Sequence, residues 1–123
     1  MFKQIDLSYG FADLEPHIDE LTMVTHYTKH HAAYTNNLNA AIEKDASLSG
    51  KSIEEILLHL DAIGDGAIRT AVRNNGGGFV NHNLYFDTLS AKAKLAPEGK
   101  LADRIAKDFG SLDALKDEIS KQA

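Results

Sequence analysis

The architecture of this chain follows from nine residues, His26-Tyr27-Thr28-Lys29-His30-His31-Ala32-Ala33-Tyr34, inside a helical pattern that runs from Asp19 to Lys44. At about 100° per residue, most large apolar and aromatic side chains of this pattern share one half of the helix surface. That half carries Met23, His26, Tyr27, His30, His31, Tyr34, Leu38, Ala41 and Ile42, and the other half carries Thr25, Lys29, Ala32, Asn36, Asn39 and Glu43. The pattern predicts a long amphipathic helix with three histidines on its buried face.

A fourth histidine lies on the apolar stripe of a later helix. Between Gly78 and Leu89, His82 shares a stripe with Phe79, Phe86 and Leu89. A buried neutral imidazole must place one donor and one acceptor or lose a few kcal/mol. Since no residue nearby in sequence is expected to satisfy His82, a metal ion shared with the first helix is one interpretation. A core histidine bonded to a backbone carbonyl is the other.

Several other sequence features are weaker indications of a site. His26 and His30, four residues apart, could ligate one ion from a single helix, but that spacing alone is weak. His59 and His17 are expected to be structural or solvated. The glycines before Phe79 do not form a phosphate loop, because no Gly-x-Gly-x-x-Gly follows a strand and no Lys-Ser/Thr closes them.

The composition limits the classes of function. With 123 residues, 43% hydrophobic and 25% charged, the chain is expected to be one globular unit. A net charge of −5 argues against nucleic acid or an anionic membrane as partner, and the lack of cysteine excludes disulfides and thiolate metal sites. No apolar run approaches the ~20 residues of a membrane span. Residues 1–6 lack the hydrophobic region of a signal peptide, so the expected compartment is the cytoplasm.

Capping and glycine signals divide the chain into helices, and no segment alternates with period two, so the predicted fold class is all-α. The expected segments are an extended stretch over residues 1–18, a helix capped by Asp19, a helix opened by the capping box Ser52–Glu55, a helical stretch Ala67–Asn74 interrupted by Asn75-Gly76-Gly77-Gly78, a fourth helix to about Ser90, and two shorter helices from Lys100 to Phe109 and from Ser111 onward. The prediction is a long helical hairpin with two short additional helices.

These motifs together resemble the N-terminal part of the iron/manganese superoxide dismutases. The resemblance is carried, in order and spacing, by Leu14-Glu15-Pro16-His17-Ile18, the stretch His26 to Tyr34, Asn36-Asn37-Leu38-Asn39, residues 68–78 (IRTAVRNNGGG), Asn81-His82 and residues 106–111 (AKDFGS). It covers essentially the whole chain.

The resemblance implies roles for four residues. His26 and His82 match the two metal ligands that the family takes from its N-terminal domain. His30 and Tyr34 match a pair at the mouth of the substrate funnel, with His30 near the dimer interface. The family completes its metal site with an Asp and a His from an Asp-x-Trp-Glu-His motif of a C-terminal α/β domain, and this sequence has no such motif and no Trp.

A fragment of such a protein is therefore expected. Residues 1–90 would be the N-terminal helical-hairpin metal-binding domain, and residues 91–123 a linker and the first helices of a truncated C-terminal domain. The ending at Ser120-Lys121-Gln122-Ala123, without a C-cap signal, favours the same interpretation. Two protein ligands leave an ion mostly hydrated, so this chain alone is expected to be inactive.

The implied activity is disproportionation of superoxide to dioxygen and hydrogen peroxide at a redox-cycling manganese or iron ion, one per subunit. The substrate would be superoxide, and the full-length protein a homodimer or a tetramer. Manganese is preferred, because iron-type relatives carry a Gln four residues before the second ligand histidine, where this chain has Gly78.

Two other classes of function remain open at this point. One is a non-catalytic helical metal-binding or interaction module that merely buries its histidines. The other is a structural zinc protein that uses His26 and His82. Redox activity would separate catalysis from both.

Overall fold

The structure is a computed structural model that describes residues 1–122, and within them every regular element is helical. The elements are α1 (Glu20–Thr25), a π-helical turn (His26–His31), α2 (Ala32–Ile42), a 3-10 turn (Ala46–Leu48), α3 (Ile53–Leu58), a second 3-10 turn (Leu60–Ala62), α4 (Gly66–Thr88), α5 (Gly99–Phe109) and α6 (Leu112–Gln122). The predicted all-α class is therefore confirmed. No helix in this part of the chain is both long and apolar enough to cross a membrane.

The chain folds as two compact units, where composition alone indicates one. The first is Met1–Ala91, and the second begins at Lys92. In the first unit, α1, the π turn and α2 follow one another without a break and form one arm of a hairpin, which packs along α4 as the other arm. In the second unit, α5 and α6 pack on each other on either side of Gly110, whose φ is +82°.

Side-chain caps start the helices where the sequence predicts them. Asp19 accepts a hydrogen bond from the Thr22 N–H at 2.9 Å, and the Ser52 hydroxyl accepts one from the Glu55 N–H at 3.1 Å. Such caps satisfy amide groups that have no partner within the helix, and each contributes about 1 kcal/mol. The predicted starts of α1 and α3 are confirmed.

Helix α4 is continuous, so the predicted interruption at residues 75–78 is wrong. Glycine in a helix interior costs about 1 kcal/mol relative to alanine, but close packing offsets that cost here. A Cβ at Gly76 would lie 3.1 Å from the Ile53 side chain and 3.2 Å from that of Leu57. The absent side chain therefore brings α4 close to α3.

Two apolar clusters hold the first unit together. The larger lies between α2, α3 and α4, around buried Leu38, Ile56 and Val72. The smaller contains Leu14, Met23 and Phe86, each at most 8% exposed. Burial of such a large side chain stabilises the fold by about 1.5–3 kcal/mol. The smaller cluster lies beneath the histidines.

The π turn rotates the buried stripe of the first arm relative to the prediction. A π turn contains more residues than an α turn, so different residues from those predicted face the interior after it. As a result His30 is exposed, whereas His31 is fully buried. Asn39, which we predicted on the solvent half, is only 8% exposed. The expectation that three histidines share the buried face is thus wrong for His30.

Residues 2–9, called the N-terminal strap below, lie across both arms of the hairpin. Asn39 pairs with the backbone of Phe2 twice, accepting from its N–H at 2.8 Å and donating to its carbonyl at 2.9 Å. The Tyr9 hydroxyl donates to the Phe86 carbonyl at 2.8 Å. Residues 11–17, expected to be extended, instead form consecutive turns.

Candidate metal centre

Four histidine rings converge where the π turn faces the C-terminal half of α4. The ring centroids of His26 and His82 lie 4.8 Å apart at 77°, and those of His31 and His82 lie 5.4 Å apart at 19°. His30 contacts only the outer side of this group, with its ring centroid 6.1 Å from that of His26. His26 and His82 are the closest pair, as expected for two side chains that share an ion.

The two ring nitrogens of His82 have different environments. Nδ1 lies 2.7 Å from the carbonyl oxygen of Gly78, one helical turn earlier. Because a carbonyl only accepts, Nδ1 carries the proton and Nε2 keeps a free lone pair. The expectation that nothing nearby in sequence satisfies His82 is therefore wrong. The backbone bond and a metal role are compatible, since each uses a different nitrogen.

His26 is half-buried, and no described residue hydrogen-bonds its ring. Tyr85 and Phe86 pack against it, with ring centroids at 4.9 and 5.0 Å. Burial lowers the pKa of His26 below its ordinary value, and the neighbouring imidazoles of His82 and His30 lower it further. His26 therefore favours the neutral form, which is the form that binds a metal.

The role of His31 was not identified from the sequence. Its Nε2 lies 2.8 Å from Oδ1 of Asn83, and the same oxygen accepts from the Ile5 N–H at 3.2 Å. Nε2 must therefore donate, which leaves Nδ1 as a buried acceptor without a protein partner. Burial is the main cause that lowers the pKa of His31. Asn83, which sets this arrangement, carries no motif that would have revealed it.

Tyr34 lies against His82 because position 78 is a glycine. The ring centroids of Tyr34 and His82 are 5.0 Å apart. A Cβ on Gly78 would lie 2.4 Å from the Tyr34 ring, which is shorter than any real contact of a Cβ atom. Gly78 thus provides both the carbonyl that binds His82 and the space that Tyr34 occupies.

A groove of about 400 Å³ opens beside His26 and His30. It is lined by Leu21, Thr22, Thr25, His26 and His30. Of the two residues that the resemblance matches to a pair, His30 borders the groove and Tyr34 contacts His82. His17 and His59 are exposed, which agrees with the prediction that they are structural or solvated.

The donors present suit a first-row metal but form only part of a coordination sphere. Imidazole nitrogen binds manganese, iron and zinc alike. Among residues 1–122, no group of three or more His, Asp or Glu side chains is arranged to hold a metal ion. A metal ion at the His26–His82 pair would therefore take its remaining ligands from outside the described residues or from solvent.

The lowered pKa values of His26 and His31 predict that the metal-free chain loses stability in mild acid. The unfolded chain binds protons near the ordinary histidine pKa of about 6.5, before the folded chain does. The contribution of these two histidines to the free energy of unfolding is therefore complete above that pH and is lost as the pH falls below it. Urea midpoints at pH 8 and pH 5.5 measure the effect.

His31→Asn should reduce this pH dependence, whereas His59→Asn, at an exposed position, should leave it unchanged. The lowered pKa values of Asp19 and Asp45, caused mainly by side-chain hydrogen bonds from Thr22 and Ser47, act only below about pH 4 and do not interfere. Equal urea midpoints at pH 8 and pH 5.5 would contradict the prediction.

Comparison with known proteins identifies the family. Residues 1–90 match the family described as iron/manganese superoxide dismutases, alpha-hairpin domain. A manganese superoxide dismutase of Thermus thermophilus is 47% identical over 122 residues, which are 99% of this chain and 59% of the relative. A second manganese superoxide dismutase of Bacillus cereus is 46% identical and is covered over 58% of its length. The chain thus spans less than two thirds of these curated relatives, and it belongs to the iron/manganese superoxide dismutase family.

Proposed function

We propose that this chain supplies the metal-binding hairpin of a superoxide dismutase, with His26 and His82 as two ligands of one manganese or iron ion per subunit. The supporting observation is the pair itself. The two rings lie 4.8 Å apart, and the bond from His82 Nδ1 to Gly78 leaves Nε2 free as a donor to a metal. The relatives are superoxide dismutases by name, which favours superoxide as the substrate.

When bound, an ion that alternates between its 2+ and 3+ states would supply the electron transfer by which two superoxide ions and two protons become dioxygen and hydrogen peroxide. The protein's own residues orient and screen the site. The Gly78 carbonyl keeps the proton of His82 on Nδ1, and Phe86 and Tyr85 keep part of the His26 ring away from water.

Tyr34 and His30 are the candidate catalytic residues. In this proposal Tyr34, in ring contact with His82, positions a proton donor, because the superoxide that accepts an electron must also take up two protons to become hydrogen peroxide. His30 lies on the groove beside His26, where a small anion would approach. Its role is to hold Tyr34 through solvent.

Manganese is the proposed metal. The relatives compared carry manganese in their names. In this chain the Tyr34 ring fills the space in which a side chain at position 78 would begin. The glutamine expected there in iron-type relatives would therefore displace Tyr34, and this supports the manganese type.

The remaining ligands, an Asp and a His, are proposed to come from a C-terminal domain, and the whole protein to be a cytoplasmic homodimer or tetramer. The part of the chain described here offers no third ligand close to the pair, which supports this arrangement. On this proposal the 123-residue chain alone binds the ion weakly and does not dismutate superoxide.

The ligand assignment is tested by His26→Gln and His82→Gln in the 123-residue chain. Each substitution removes one of the two imidazoles, so each should lower the affinity for Mn²⁺ about tenfold or more. Free Mn²⁺ is measured by electron paramagnetic resonance during a titration at pH 7.5. His59→Gln, an exposed histidine, is the control and should bind like the parent chain. Unchanged affinity in His82→Gln would reject the assignment.

A further inference from the structure

Backbone carbonyls in the π turn and just before it accept hydrogen bonds from side chains. The Thr28 hydroxyl donates to the Val24 carbonyl at 2.7 Å, and the Thr35 hydroxyl donates to the His31 carbonyl at 2.9 Å. Between them, the Gln4 side-chain amide donates to the Tyr27 carbonyl at 2.8 Å. π turns are rare, and they occur frequently at functional sites. Three side-chain donors thus bind carbonyls in or directly before this turn.

Gln4 differs from the two threonines because it comes from outside the helix. It belongs to the N-terminal strap, 23 residues earlier in the chain. The next strap residue, Ile5, accepts from the Tyr27 hydroxyl at 2.7 Å. Tyr27 is thus held at both its carbonyl and its hydroxyl, and it directly follows His26.

The same strap also reaches the second histidine of the pair. The Ile5 N–H binds Oδ1 of Asn83, and that oxygen holds the ring of His31. The His31 ring in turn lies nearly parallel to that of His82 at 5.4 Å. Two adjacent strap residues therefore contact the backbone beside His26 and, through Asn83 and His31, the ring of His82.

We propose that Gln4 is a positioning residue of the metal pair: its amide holds the Tyr27 carbonyl, keeps the turn His26–His31 in the π conformation and so fixes the direction of His26 toward His82. The proposal rests on the proposed function of that pair. Gln4 is not needed merely to attach the strap to the hairpin, because Asn39 already does so with two hydrogen bonds to Phe2.

The test compares Gln4→Met, which keeps the shape but loses the donor, with Gln4→Lys, which keeps a donor at similar reach. Asn39→Ala is the matched control, because it loosens the same strap away from the histidines. In the metal-free chain, Gln4→Met should shift the amide resonances of residues 28–31 and the ring resonances of His26, while Gln4→Lys should restore most of the shift. The Mn²⁺ affinity of Gln4→Met should fall about fivefold, the equivalent of one hydrogen bond.

Asn39→Ala should lower the melting temperature and leave both the His26 ring resonances and the Mn²⁺ affinity unchanged. The proposal is overturned if Gln4→Met leaves the His26 ring resonances unchanged, or if Asn39→Ala changes them equally. This readout needs no metal, so it is distinct from the His82→Gln titration that tests the ligand assignment itself.

Discussion

Gly78→Ala should lower the free energy of unfolding by about 1–3 kcal/mol and separate Tyr34 from His82. The new Cβ would lie 2.4, 2.6 and 2.7 Å from three atoms of the Tyr34 ring. The ring cannot stay in place at those distances, so either Tyr34 or α4 must move. The expected loss is net of the roughly 1 kcal/mol by which alanine favours a helix over glycine.

Gly77→Ala is the matched control for this substitution. It is the neighbouring residue in the same helix, and its Cβ would meet nothing within 4 Å. It should therefore raise the free energy of unfolding by about 0.5–1 kcal/mol. Urea denaturation measures both variants, and nuclear Overhauser contacts between the rings of Tyr34 and His82 report the displacement. If both alanines stabilise the chain equally, the packing described for Tyr34 is wrong.

Phe86→Ala should lower the free energy of unfolding by about 3–5 kcal/mol, a large part of the stability of a small domain. Phe86 is 1% exposed and belongs to the cluster with Met23 and Leu14. Its ring centroid lies 5.0 Å from that of His26 and 5.7 Å from that of His31. The cavity would therefore also loosen the two histidines that face His82.

Phe109→Ala is the control for Phe86→Ala. Phe109 ends α5 and is 41% exposed, so its truncation should cost less than about 1 kcal/mol. Phe86→Leu, which refills most of the space, should cost no more than about 1.5 kcal/mol. Urea midpoints of the three variants rank the effects. A loss below about 1 kcal/mol in Phe86→Ala would show that the Phe86 ring does not support the packing beneath the histidines.

Local patterns predicted most of the helical architecture. The caps at Asp19, Ser52 and Ser111 all bind the amide three residues later, because capping depends only on neighbouring residues. The pairing of His26 with His82 in space also agrees with their predicted positions on two facing apolar stripes. Their ligand role stays a prediction.

Local patterns failed where packing outweighs propensity. Consecutive glycines predicted a break in α4, but contacts such as that of Gly76 with Ile53 stabilise a continuous helix. The uniform 100° periodicity also could not show the π turn, which moves Asn39 into the interior and His30 to the surface. Gln4 donates to the Tyr27 carbonyl within this turn, and no local rule connects these two residues.

The sequence by itself determined the all-α class and the helix starts, because these depend on residues close together in the chain. It also identified four candidate histidines, from the apolar stripes and the family resemblance. Only the tertiary structure decided how those histidines are used. Which nitrogen of His82 is free, why His31 rather than His30 is buried, and what holds Asn83 all follow from contacts between the strap, the π turn and α4. Asn83, for example, lies 52 residues from His31 and 78 residues from Ile5 in the chain. Hydrogen bonds between residues so far apart are set by packing and not by periodicity.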